Sequence, residues 1–130
     1  MNYDRKYLVW ALAYAVVGMC VGIFMAASHD HGEFVTHAHI LMIGFVLSLV
    51  YGIIHKLWLS QPKPLVARTQ FVLHQAAAVT LSVGLWLLYG KFVPEAQLDP
   101  ILGIAAITAL VGALLMLYMV LATRPQRPAA

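Results

Sequence analysis

Charge is what this chain has least of. Asp, Glu, Lys and Arg make up only 10% of its residues, against about 25% in soluble domains. Hydrophobic residues make up 62%, against the usual apolar share of about 45–50%. A soluble fold of 130 residues could not hide that much apolar surface, so composition excludes a soluble globular domain. Cysteine is nearly missing too. Cys20 stands alone inside an apolar run, so neither an intrachain disulfide nor a cysteine metal motif can form. There is no phosphate-cradling loop and no nucleophile–base arrangement, which leaves enzyme status open. Acidic residues are absent from the middle of the apolar segments, where proton relays usually carry one. The net charge is +3, but its basic residues flank apolar runs and so report topology rather than nucleic-acid binding.

What the chain does have is long apolar runs. A spanning helix needs about 20 mostly apolar residues. Four segments qualify: about Tyr7–Ser28, Phe34–Leu59, Ala67–Tyr89 and Pro100–Thr123. They predict an all-α fold, an integral membrane four-helix bundle, as one domain over residues 1–130 in a lipid bilayer. The first run has Arg5 and Lys6 before it and Ala26-Ala27-Ser28 at its end, like a signal peptide. A signal core is about 7–15 residues, however, and this run has spanning length. Gln61-Pro62-Lys63-Pro64 breaks the second helix from the third. Gly90 and Pro94 end the third, Pro100 suits the first turn of the fourth, and Arg124-Pro125 stops it.

Lys and Arg then orient the bundle. Arg5 and Lys6, Lys56, Lys63 and Arg68, and Arg124 and Arg127 mark one side. The positive-inside rule puts both termini and the second loop in the cytoplasm. His29, Asp30, His31 and Glu33 then face outward, and the expected location is a bacterial inner (cytoplasmic) membrane, crossed by several passes. Small residues recur at helical spacing: Ala11, Ala15, Gly18 and Gly22 in the first helix, Gly103, Ala106 and Gly112 in the fourth. Such stripes serve close packing within one bundle or self-association. Four helices bury little, so a homo-oligomer, dimer or trimer, is expected.

Six histidines stand out, and His29, His31, His37 and His39 fall within eleven residues. Two His-x-His pairs this close are a metal-binding pattern in outline, copper or zinc being the natural occupants. Asp30 and Glu33 are either oxygen donors beside them or a solvated acidic loop. Residues two apart on a regular helix point about 200° apart, so His37 and His39 cannot both reach one metal. His37, Gly44, Ser48, Tyr51 and His55 form one polar or small stripe that should face the bundle. His39 shares a face with Val46, Val50 and Ile53. By counting along antiparallel helices, His74 lies level with Tyr51, and His39 lies roughly 18 Å away in depth. His39 and His74 therefore cannot be two axial ligands of one heme in a single chain. His55, His74 and Tyr51, with Gln70 and Gln75, form a candidate second polar site toward the cytoplasm.

The string Thr36-His37-Ala38-His39-Ile40-Leu41-Met42-Ile43-Gly44-Phe45 resembles the second helix of the heme–copper oxidase catalytic subunit. That helix carries a low-spin heme ligand in an Ala-His-Gly-Ile-Leu-Met-like string. Ala38-His39 before Ile40-Leu41-Met42 matches it, with one residue missing after the histidine. The resemblance implies heme b, with His39 as axial ligand. The oxidase histidines for copper and the second heme lie on helices that have no counterpart here. His55 and His74 do not match them.

Three readings follow. The first is a membrane protein that binds heme b or a transition metal through His39, helped by His37, for electron transfer, metal handling or redox sensing. The second is a small histidine-lined transporter or channel subunit. The third is a membrane interaction subunit without chemistry.

Overall fold

The computed structural model describes residues 1–123. Its four helices are each long and apolar enough to cross a membrane: α1 (Tyr3–Ser28), α2 (Phe34–Leu57), α3 (Pro64–Tyr89) and α4 (Glu95–Ala122). With no water at that depth to serve the backbone, a helix is the economical way to satisfy every N–H and C=O within one segment. The protein is thus an all-α membrane bundle. Arg124, Pro125 and Arg127, expected to close the fourth helix and mark its side, lie outside the described residues.

The helix starts differ from the sequence expectation, each for a local reason. α1 begins at Tyr3 rather than Tyr7, because Asp4 in its first turn favours a helix N-terminus and charge at a membrane edge does not stop a helix. α3 begins at Pro64 rather than Ala67, since proline fits the first helical position, where its missing N–H has no partner to lose. α4 begins at Glu95, with Pro94 before it and Pro100 inside it rather than at its start. The carbonyl that Pro100 leaves without a donor belongs to exposed Ala96, where a polar neighbour can reach it.

α1 packs on α2, and α4 packs on α3; contacts of α2 with α3 join the two pairs. Small residues let α1 and α2 approach. A methyl group placed on Gly18 would sit 2.5 Å from Leu41, and one on Gly44 would sit 2.6 Å from the Tyr14 ring. The Gly18–Gly22 pair therefore serves packing inside the chain. In α4, Gly112 faces the backbone of His74, whereas Gly103 has nothing within 4 Å.

The middle of α2, Ile40–Leu47, is π-helical. A regular helix drifts about 40° over each four-residue step. The wider π turn drifts the opposite way and so offsets it. Ile40, Gly44 and Ser48 thus stay on one buried face, while Met42, Val46, Val50 and Ile53 stay exposed.

Two apolar clusters fill the bundle. The one toward the His29–Glu33 loop, labelled outer after the orientation expected from charge, joins Tyr14, Val21, Met25, Ile40 and Ala78. The inner one joins Tyr7, Tyr51, Leu59, Ala67, Met116 and Met119.

Candidate functional site

The outer histidines are held one by one rather than together. His29 ends α1 in the left-handed region, at φ 57°, so its backbone turns the chain into the loop. Asp30 accepts a hydrogen bond from the Gly32 N–H at 2.9 Å, and its own N–H donates to Ser28 Oγ at 3.2 Å. It shapes a turn, as short acidic side chains do. His31 is exposed. Glu33 is only 6% exposed and accepts a hydrogen bond from the Thr36 hydroxyl at 2.5 Å. The solvated-loop alternative therefore fails for Glu33, which is buried at the start of α2 with the Thr36 hydroxyl bonded to it.

His37 and His39 diverge, as helical geometry requires. His37 turns toward α1. Its Nδ1–H donates to the Gly18 carbonyl at 2.8 Å, and its ring fills the space left beside Gly22. His39 turns back along its own helix. Its Nδ1–H donates to the Val35 carbonyl at 2.9 Å, and the residue is half-buried. A carbonyl can only accept, so Nδ1 carries a proton in both rings. In that tautomer Nε2 keeps its lone pair. Among the described residues, no three His, Cys, Asp or Glu side chains come together to hold a metal ion.

The inner residues do converge. His74 is fully buried, and its Nε2 shares a hydrogen bond of 2.9 Å with Ser48 Oγ. Its ring lies 4.9 Å from that of Tyr51 and 5.9 Å from that of Tyr7. His55 stacks between Tyr3 at 5.5 Å and Tyr7 at 5.7 Å. The Tyr7 hydroxyl donates to Gln70 Oε1, and Gln70 Nε2 donates to the Gly112 carbonyl at 3.3 Å. About two turns along α1 toward the His29–Glu33 loop, the Tyr14 hydroxyl donates to Gln75 Oε1 at 3.0 Å.

His55, His74 and Tyr51 were expected together, with Gln70 and Gln75. Tyr7 and Tyr14 were not expected there. Their seven-residue spacing, which puts both on one face of α1, was the available signal. Against protein families, curated proteins and solved structures alike, the chain shows no match.

Proposed function

We propose that this chain is a heme b-binding membrane protein for electron transfer or redox sensing, with His39 as an axial ligand near the outer face. One observation carries the reading: a main-chain carbonyl holds Nδ1 of His39 at 2.9 Å, as another holds Nδ1 of His37 at 2.8 Å, leaving each Nε2 as a possible donor, and the oxidase-like string selects His39 of the two. A carbonyl on one ring nitrogen is how proteins fix the tautomer and aim of a metal-ligating histidine. The π turns that follow at Ile40 support it, since such turns gather at functional sites. So does the likeness of Ala38-His39-Ile40-Leu41-Met42 to the oxidase heme-ligand string.

The donor set favours heme over bare copper or zinc. Porphyrin supplies the equatorial nitrogens and asks the protein for one or two axial ligands. A zinc site asks for about three or four protein donors, a set that the described residues do not assemble. When bound, heme supplies one-electron exchange between ferric and ferrous iron. The chain's own part is to aim His39 from Val35 and to pin α2 on α1 through His37. A second histidine to hold the heme would come from His29 or His31 of the loop, or from another copy in a dimer or trimer. Both termini lie in the cytoplasm of a bacterial cell in this reading, with the histidine-rich end outside.

The test is the absorption spectrum of the purified full-length protein. A Soret band is expected, lost in His39→Ala and kept in His37→Ala. A protein with no Soret band overturns the reading.

A further inference from the structure

Four buried side-chain atoms find no protein partner among the described residues: the Tyr51 hydroxyl, His55 Nε2, His74 Nδ1 and Gln75 Nε2. Such atoms are costly at membrane depth, and proteins meet that cost with ordered water. Here they occur in spatial order. Tyr51 is one turn from His55 on α2, His74 lies against Tyr51, and Gln75 follows His74 on α3.

The order has a mouth and an end. His55 lines a cleft of about 620 Å³ with Asn2, Tyr3, Asp4, Lys56 and Gln61. This is the lysine- and arginine-rich end that the charge bias assigns to the cytoplasm. From His55 to Ser48 the helix climbs about 10 Å. Beyond the Tyr14–Gln75 pair, Val21, Met25, Ile40 and Ala78 close the interior with apolar side chains.

We infer that these residues hold a one-sided chain of bound water, which enters from the cleft and links His55 Nε2, the Tyr51 hydroxyl and His74 Nδ1. The titratable groups facing His74 are Tyr7 from α1 and Tyr51 from α2, while α3 brings Gln70 beside it and α4 brings the Gly112 backbone. Facing His55 are Tyr3 and Tyr7, with Asp4 and Lys56 at the mouth. His39 takes no part in the water chain.

Water-edited solid-state NMR on the full-length protein in lipid bilayers tests this, with labelled histidine and tyrosine. Magnetisation transfer from water to the His74 and Tyr51 rings is expected on a par with transfer to exposed His31. Tyr51→Phe is expected to lose the His74 water signal while helical resonances persist. His55→Phe, which keeps a ring at the stack, gives the same loss should Tyr51→Phe fail to fold. A wild-type His74 as dry as Ala78 overturns the water chain. Proteoliposomes with a trapped pH dye test its closure: no leak above empty vesicles is expected, and a rapid leak overturns the one-sidedness.

Discussion

His37 and His39 each commit a ring nitrogen to a main-chain carbonyl, whereas His55 and His74 face side chains. At the outer end, the carbonyls of Gly18 and Val35 set the tautomer and leave one defined lone pair. That suits a fixed ligand. At the inner end, His74 has a hydroxyl at Nε2, no protein partner at Nδ1 and two tyrosine rings against it. That suits ordered water. Clustering in sequence was therefore a poor guide to clustering in space. Four histidines within eleven residues go separate ways, while two that are nineteen residues apart share Tyr7 as a neighbour.

The largest effect should separate the two outer helix histidines. His39→Ala removes the axial ligand proposed on α2 and should abolish the Soret band outright. His37→Ala should keep it and lose about 1 kcal/mol of stability with the bond to Gly18, read by denaturant unfolding in detergent. Equal spectral loss in both variants would collapse the distinction. Next comes the seam that carries both regions. Gly44→Val drives side-chain atoms into Tyr14 and should cost about 1–3 kcal/mol in the same unfolding assay. A fully stable Gly44→Val would mean that α1 and α2 are not held at this distance.

Ser48→Ala is milder. It leaves His74 Nε2 without its partner and should cost about 1 kcal/mol, with no change in the Soret band. A spectral change there would tie the inner cluster to the outer ligand. The smallest effect is expected at the mouth. The Lys56–Asp4 pair spans 3.8 Å with Lys56 72% exposed, so Lys56→Ala should cost at most about 0.5 kcal/mol, less at high salt. A larger loss would show that the cleft is organised by charge.

Much of the inner site was readable in advance. Antiparallel helices joined by a short loop fix relative depth by counting, and that put His74 level with Tyr51 before any contact was known. The share of α1 was not readable, because Tyr7 and Gln70 meet across 63 residues of chain and counting along one pair of helices does not reach a third. The outer site was read correctly in one respect: two residues on successive alternate positions of a helix diverge. The fate of Glu33 was hidden, since burial of a loop carboxylate depends on how the chain folds over it.

The sequence by itself determined that this is a membrane protein with four crossings, and roughly where each begins. Hydropathy is a sum over one segment, and the bilayer acts on each segment in turn. Only the tertiary structure decided what each histidine touches. That depends on the rotation of each helix about its axis, on the π turns in α2, and on glycines that let α1 approach. Those quantities arise from packing between segments far apart in the chain, which no local pattern encodes.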